Sequence, residues 1–252
     1  MRIRPLGRSG PRTTSTPAAS AQPGRSARHA GGPLAVAHRG DPRAAVENTL
    51  EAVRRAADAG ASAIEVDLRC TADGVVVLHH DDDLARLWDR PESVAALTLH
   101  ELREFAPAVP TLREALDAAA GVPLLLDTGD PVIAAAAHAE LVDLGAVAMF
   151  CGAAEAMAAV RARDERITLF LSWYGELPPS EGVLEAVRPQ YFNPEHRLLS
   201  EEAVAHWHAR ELLVSCWTVD DADRRAELLS WGVDAIISND VNGVVKSCDG
   251  QA

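Results

Sequence analysis

From residue 34 onward, short apolar runs alternate with longer segments rich in alanine and leucine, and this alternation restricts the fold more than any other feature. Nine runs have the length and composition of strands: 34–38, 62–68, 75–80, 123–127, 146–150, 167–172, 190–192, 212–218 and 234–237. The helical candidates among them are 48–59, 98–105, 111–120, 131–144, 153–163, 180–187, 200–210 and 221–231. Near-continuously apolar strands separated by helices are typical of a parallel sheet covered by helices. The pattern therefore predicts an α/β fold.

Nine strands are one more than an eight-stranded α/β barrel contains. The segment 71–74 (Thr-Ala-Asp-Gly) is too short to carry a crossover helix, so 62–70 and 75–80 are predicted to form a hairpin. The remaining strands then number eight. Residues 81–110 are the least regular part of the folded region, and we expect them to form an insertion or lid segment.

Charge is distributed unevenly along the chain. Residues 1–33 contain six arginines and no acidic residue, and their Arg, Ser, Pro and Gly content predicts a disordered basic tail. The remaining residues carry 18 basic and 37 acidic side chains, a formal charge of −19. Because nucleic-acid binding depends on neutralising phosphates, such an acidic body is not expected to bind nucleic acid.

Hydropathy and cysteine spacing bear on the cellular compartment. No run of about 18 apolar residues is present, so no transmembrane segment is expected, and the first thirty residues lack the apolar stretch of a secretory signal. The four cysteines form no CxxC pair, which argues against a disulfide or zinc framework. These features predict a cytoplasmic protein.

Chemically active side chains stand near the ends of the first predicted strands. His38-Arg39 ends the first run, and the next strand carries Glu65-x-Asp67. Because side chains alternate along a strand, the two carboxylates share one face. The predicted hairpin pairs Glu65 with His80 and Asp67 with Leu78, to within one residue, and so places both carboxylates beside the His80 imidazole. Two imidazoles, paired carboxylates and an arginine indicate a metal-assisted phosphodiester site.

These motifs also carry a family resemblance. The sequence HRG-x5-VENT, followed by EVDLRCTADG, VVVLHHD, SCWTVDD and GVDAIIS, resembles the glycerophosphodiester phosphodiesterase family over about residues 34–243. The resemblance implies a TIM-type (β/α)8 barrel, here over 34–246, with a short hairpin near the second strand and a small insertion. It also implies a role in lipid metabolism, namely metal-dependent hydrolysis of small glycerophosphodiesters to glycerol 3-phosphate and an alcohol.

The resemblance implies roles for eight residues. His38 and His80 would be the acid/base pair, and Arg39 would bind phosphate oxygens. Glu47 would bind substrate or metal, although an acid ahead of a helix is an equally good interpretation. Trp217 would form a wall for the glycerol or the leaving group, although a barrel-core aromatic is equally compatible.

Three carboxylates, Glu65, Asp67 and Asp127, would hold the metal. Hard carboxylate oxygens suit Mg²⁺ or Ca²⁺ better than Zn²⁺. Asp127 stands where the family has a glutamate, and Gly129 stands where the family has a lysine. The only lysine of the chain is Lys246, which lies near its end.

The lysine missing at Gly129 leaves a second interpretation open, a weakened barrel that binds phosphodiesters without efficient turnover. Lysophospholipase D-like and cyclising relatives would share the same site residues. The sequence does not distinguish among these, nor does it identify the leaving alcohol or the oligomeric state.

Overall fold

The computed structural model describes residues 32–250. Nine strands form one sheet, and they are β1 (Leu34–Ala37), β2 (Ala63–Cys70), β3 (Val76–Leu78), β4 (Leu124–Asp127), β5 (Met149–Gly152), β6 (Leu169–Trp173), β7 (Tyr191–Pro194), β8 (Leu213–Cys216) and β9 (Ala235–Ser238). β1 pairs in parallel with both β2 and β9, which closes eight parallel strands into a barrel. The predicted eight-stranded barrel is confirmed. The predicted tail lies outside the described residues except for its last two.

Ten α-helices accompany these strands within residues 32–250. They are α1 (Leu50–Asp58), α2 (Ala85–Trp88), α3 (Leu99–Phe105), α4 (Leu112–Ala118), α5 (Pro131–Leu144), α6 (Ala154–Arg161), α7 (Glu181–Val187), α8 (Glu201–Ala209), α9 (Ala222–Ser230) and α10 (Val241–Asp249). Side-chain caps fix several starts: Thr98 and Thr111 form capping boxes, and Asp130 accepts from two backbone N–H groups ahead of Pro131. Two of these helices, α2 and α10, were not predicted from the sequence, although Asp240 caps α10.

Side chains of the parallel strands alternate between the barrel interior and the surrounding helices. The interior is filled by Val36, Ala63, Leu125, Cys151, Phe170, Tyr191, Ala235 and Ile237. Neighbouring positions such as Ala37, Ile64 and Leu126 pack outward in the larger core beneath the helices. The last inward-facing position of each strand therefore lies at the carboxyl end of the barrel, above a packed apolar plug.

The hairpin is present, but its register differs by one residue from the prediction. β3 pairs antiparallel with β2 so that Leu68 lies opposite Leu78, and the His79 N–H donates to the Asp67 carbonyl at 3.0 Å. The observed register is therefore shifted by one residue from the pairs Glu65–His80 and Asp67–Leu78, within the stated margin of that prediction. The turn explains the shift: the Thr71 N–H donates to the Val75 carbonyl, so the loop has three residues and ends in a glycine at φ +82°.

The insertion, residues 81–110, has its own small core. α2, a 3₁₀ turn and α3 bury Leu84, Val94, Leu97, Leu102, Ala106 and Val109 against Val77 of β3. This segment is therefore tied to the barrel through the hairpin, next to the end of β3 that leads to His80.

The described residues contain no helix long and apolar enough to cross a membrane. All four cysteines, which lie within 32–250, are free thiols, and three of them are buried. As the sequence indicated, they form no disulfide framework.

Candidate active site

A cavity of about 220 Å³ opens at the carboxyl end of the barrel. Seven of the eight predicted site residues line it: His38, Arg39, Glu65, Asp67, His80, Asp127 and Trp217. The eighth, Glu47, lies behind Arg39. The strand ends meet here because all eight barrel strands are parallel, so side chains distant in sequence share one site.

Glu65 and Asp127 are neighbouring carboxyl groups in this cavity. Glu65 Oε2 accepts from the Arg39 main-chain N–H at 2.9 Å, whereas Glu65 Oε1 is buried without a hydrogen-bond partner. Burial raises the pKa of Glu65 well above its usual range, and the charges of Asp67 and Asp127 raise it further. Burial, followed by the Asp67 charge, raises the pKa of Asp127 to about 7. An unpartnered carboxylate oxygen in an anionic pocket fits a divalent cation.

Cys151 lies beside these two carboxylates. The ligand atoms of Glu65, Asp127 and Cys151 lie within 4.8 Å of one another. Burial, and then the charge of Asp127, raises the pKa of the Cys151 thiol well above its usual range. The thiol is therefore neutral, and the carboxylate oxygens are the hard ligands of this group.

Asp67 is held more firmly than the other two acids. Asn48 Nδ2 donates to Asp67 Oδ2 at 2.7 Å, and the Asp67 N–H donates to Asn48 Oδ1 at 3.0 Å. Arg39 Nε also lies 3.1 Å from Asp67 Oδ2. One carboxylate oxygen is thus engaged by protein donors, and Oδ1 is the atom left to face the cavity. Asn48, which is buried and adopts φ +57°, stands in the VENT motif but was given no role from the sequence.

Arg39 is positioned by an unusual backbone. Arg39 has φ +57° and is followed by Gly40 at φ +82°. A Cβ at Gly40 would lie 2.6 Å from the Ala52 carbonyl carbon of α1, so only glycine fits. Arg39 Nη1 donates to Glu47 Oε1 at 2.8 Å. Glu47 therefore braces Arg39, and it precedes the helix cap Thr49 rather than standing in the first turn of α1.

His38 is the more buried of the two histidines. Its Nδ1 donates to Asn239 Oδ1 at 2.8 Å, and Asn239 Nδ2 donates to Asp220 Oδ2 at 2.8 Å. His38 Nε2 therefore faces the cavity, 3.9 Å from Glu65 Oε2. Burial, and then the Arg39 charge, lower the pKa of His38. The imidazole is neutral near pH 7 and has an available lone pair on Nε2.

His80 also lines the cavity and is more exposed than His38. Its Nδ1 donates to Asp81 Oδ1 at 2.6 Å, and its main-chain carbonyl accepts from the Arg69 guanidinium. His79, which the sequence analysis left without a role, is buried elsewhere with Nε2 2.8 Å from the Asp83 carbonyl. Each cavity histidine is thus held through Nδ1, and its other nitrogen remains free.

Two aromatic rings form a wall of the cavity. Trp217 Nε1 donates to the Asn193 carbonyl at 3.0 Å, and the edge of Tyr174 lies against the Trp217 ring with centroids 5.1 Å apart. Trp217 also packs against the barrel interior, as the core-aromatic interpretation predicted, and its contact with substrate stays a prediction.

Further residues line the cavity that the sequence analysis did not select, namely Cys151, Ser172, Tyr174, Asn193, Thr218 and Ile237. Most of them are polar or aromatic residues at inward positions near the ends of apolar strands. That interruption of an apolar run was the available signal.

Comparison with known proteins assigns the chain to a family. The model of the glycerophosphoryl diester phosphodiesterase family matches residues 38–242. The chain belongs to this family. Bovine glycerophosphodiester phosphodiesterase 1 is 42% identical over 95 residues, a segment that covers 32% of this chain and only 29% of that protein. A glycerophosphodiester phosphodiesterase of Arabidopsis thaliana is 25% identical over 232 residues, covering 82% of this chain and 71% of the relative.

Solved structures of the family share the fold. A phosphodiesterase of Oleispira antarctica, solved with the product sn-glycerol-3-phosphate, has a TM-score of 0.78 at 22% identity, covering 86% of this chain and 97% of that one. A glycerophosphodiester phosphodiesterase of Thermotoga maritima has a TM-score of 0.72 at 22% identity, covering 84% and 97%. The TIM-barrel fold predicted from the resemblance is confirmed.

We expect Asp127→Asn to stabilise the metal-free protein at pH 8. The folded-state pKa of Asp127 is raised to about 7, whereas an unfolded carboxyl titrates near about 4. Between these values the folded state binds more protons than the unfolded state, so the free energy of unfolding falls as the pH rises. In chelator, melts at pH 8 should show a Tm gain of roughly 2–4 °C for each ~1 kcal/mol, and a smaller gain at pH 5.

The control is Asp143→Asn, which neutralises an exposed carboxylate on α5 and should shift the Tm little at either pH. Adding Mg²⁺ should raise the Tm of the wild type more than that of Asp127→Asn. A variant that melts below the wild type at pH 8 in chelator would contradict the assignment of Asp127 to the anionic cluster.

Proposed function

We propose that this protein is a metal-dependent phosphoric diester hydrolase that cleaves glycerophosphodiesters to glycerol 3-phosphate and an alcohol. The observation that carries the proposal is one cavity lined by two histidines that each donate from Nδ1, by Arg39, and by the carboxyl groups of Glu65, Asp67 and Asp127. Family membership supports it. So does the sn-glycerol-3-phosphate bound to the Oleispira protein of the same fold.

Glu65, Asp67 and Asp127 would hold the divalent cation, Mg²⁺ or Ca²⁺ by the hardness of their oxygens. When bound, the cation would supply Lewis-acid polarisation of the phosphoryl group and neutralise part of its charge. The orphaned Glu65 Oε1 and the raised pKa of Asp127 support a cation at this place.

The protein side chains divide the proton transfers between them. His38 is neutral because burial and the Arg39 charge lower its pKa. Its Nε2 would act as the general base that removes a proton from the attacking water. His80, nearer the solvent, would act as the general acid that protonates the departing alkoxide. Its partner Asp81 accepts from Nδ1, which leaves Nε2 to donate to the leaving group.

Arg39 would bind a non-bridging phosphate oxygen. Its Nη1 donates to Glu47, and its Nε lies at ion-pair distance from Asp67 without a hydrogen bond, so Nη2 would bind the substrate. Trp217 and Tyr174 would enclose the glycerol or the leaving group. Products of this kind belong to lipid metabolism, and the cytoplasmic location expected from the sequence remains a prediction.

A weakened phosphodiester-binding barrel is the second candidate function. Among the described residues that line the cavity, Arg39 is the one with a permanent positive charge. Turnover assays separate the hydrolase from the weakened barrel and from a lysophospholipase D-like activity. The substrates are glycerophosphocholine, glycerophosphoethanolamine and a lysophosphatidylcholine, and the measured products are glycerol 3-phosphate and lysophosphatidate. Tight binding without turnover at saturating Mg²⁺ or Ca²⁺ would favour the weakened barrel.

Loss of either histidine should remove acid/base catalysis. We expect His38→Ala and His80→Ala each to lower kcat by about 10²-fold or more, the usual scale of such a loss. Steady-state kinetics with a parallel thermal melt test this expectation. His100→Ala, on the exposed side of α3, is the matched control and should keep wild-type activity. Near wild-type kcat in either cavity variant would remove that histidine from the mechanism.

Activity should depend on a divalent cation. Chelation should abolish turnover, Mg²⁺ or Ca²⁺ should restore it, and calorimetry should show weakened cation binding in Glu65→Gln/Asp67→Asn, because these carboxylates supply the oxygen ligands. The exposed pair Glu201→Gln/Glu202→Gln gives the same charge change away from the cavity. Unchanged cation affinity in the first double variant would defeat the proposed metal site.

A lysine at position 129 should accelerate the reaction. Gly129 does not adopt a positive φ, and a Cβ there meets only the Ala153 Cβ at 3.9 Å, so a side chain fits. Position 129 follows Asp127 by two residues, in the bend after β4, and an ammonium that reached the cavity from there would stabilise developing phosphate charge. We expect Gly129→Lys to raise kcat/KM several-fold and the uncharged Gly129→Gln to leave it nearly unchanged. A well-folded lysine variant that is no faster would mean that another group already neutralises the phosphate.

A further inference from the structure

Arg86, which lies on the short helix α2 of the insertion, donates hydrogen bonds to two carboxylates. Its Nε donates to Asp81 Oδ2 at 2.6 Å, and its Nη2 donates to Glu47 Oε1 at 2.6 Å. The carboxylates come from different parts of the chain, because Asp81 follows β3 and Glu47 lies in the loop after β1. A single guanidinium therefore joins the insertion to the first loop of the barrel.

Each of these carboxylates also contacts a residue that lines the catalytic cavity. Asp81 Oδ1 accepts from His80 Nδ1 at 2.6 Å, and Glu47 Oε1 accepts from Arg39 Nη1 at 2.8 Å. The contacts form one continuous line from His80 through Asp81, Arg86 and Glu47 to Arg39. Its two ends are the proposed acid and the proposed phosphate ligand.

We propose that Arg86 is a positioning residue that holds His80 and Arg39 in their working orientations at the same time, a role that rests on the proposed function. Arg86 does not line the cavity, so it acts only through Asp81 and Glu47. The fork geometry of arginine is required because one side chain must donate to two carboxylates in different directions.

Local electrostatics agree with this arrangement. Partial burial alone would raise the pKa of Asp81, but hydrogen bonds from Arg86 and His80 lower it to about 2. Partial burial would also raise the pKa of Glu47, but the hydrogen bond from Arg86 and the charge of Arg39 lower it. Because Arg86 is half-exposed, neither of its ion pairs alone contributes much to the free energy of unfolding. Its effect is to fix the rotamers of both acids.

A purely structural tie between the insertion and the barrel is the competing explanation. It predicts that losing Arg86 lowers the Tm and the amount of active enzyme without changing the properties of the folded molecules. The positioning role predicts changes at both ends of the line: a lower kcat from a misoriented His80 and a higher KM from a looser Arg39.

The test compares Arg86→Gln and Arg86→Lys with Arg90→Gln at saturating metal. Arg90 belongs to the same insertion but packs over the Phe105 ring, with its guanidinium carbon 4.4 Å from the ring centroid. Arg90→Gln therefore removes the same charge as Arg86→Gln without touching the line of contacts from His80 to Arg39. We expect Arg86→Gln to lower kcat about 10-fold or more and raise KM, the scale seen when outer positioning groups are removed. Arg86→Lys should recover only part of this, and Arg90→Gln should match the wild type.

A spectroscopic readout makes the inference independent of turnover. In histidine-labelled wild-type protein, ¹⁵N correlation spectra should show His80 with its proton held on Nδ1, assigned by comparison with His80→Gln. Arg86→Gln and Asp81→Asn should both change this signature, and Arg90→Gln should not. If no diester is turned over, the proposed function fails but this signal still tests the positioning role.

Two results would overturn the inference. One is Arg86→Gln with wild-type kcat, KM and His80 signature. The other is an equal loss in Arg86→Gln and Arg90→Gln that follows their Tm. If Arg86→Gln does not fold, Arg86→Lys and Glu47→Gln carry the same test, since each breaks one arm of the bridge while retaining a polar side chain.

Discussion

The main physical constraint on this structure is a group of three carboxyl groups, Glu65, Asp67 and Asp127, at the carboxyl end of the barrel. Arg39 is the positively charged residue that lies beside them. Desolvation opposes each ionised acid, and their mutual repulsion adds to it, as the raised pKa values of Glu65 and Asp127 indicate. Nearby groups stabilise these acids. The Arg39 main-chain N–H donates a hydrogen bond to Glu65, Asn48 donates one to Asp67, and the Arg39 guanidinium forms an ion pair with Asp67. Arg39 and Asn48 both have a left-handed backbone, and both place their side chains against Asp67.

Much of the fold and part of the site could be predicted because strand alternation applies to every barrel strand. Residues 63, 65 and 67 of β2 share a face, so an apolar alanine at the plug is followed by two acids toward the mouth. The same alternation leads from Leu125 to Asp127. Strands and helices were found from apolar periodicity and caps, since these depend on neighbouring residues alone.

What could not be predicted depends on turns and on contacts distant in sequence. One residue fewer in the hairpin loop moved His80 out of register with Glu65, because a hairpin register follows the conformation of its turn. Arg86 lies 39 positions from Glu47, and no local pattern pairs them. The partners Asn48 and Asn239 are likewise defined by loops that close only when the barrel does.

The two histidines are built differently, and the difference agrees with their proposed roles. His38 rests on the neutral amide of Asn239, is 18% exposed at its side chain and lies beside Glu65, surroundings that favour an uncharged base. His80 donates to the carboxylate of Asp81, is 44% exposed at its side chain and lies nearer the insertion, where a leaving alcohol would depart toward solvent. In the proposed mechanism, the base therefore has a neutral hydrogen-bond partner and the acid has a carboxylate partner.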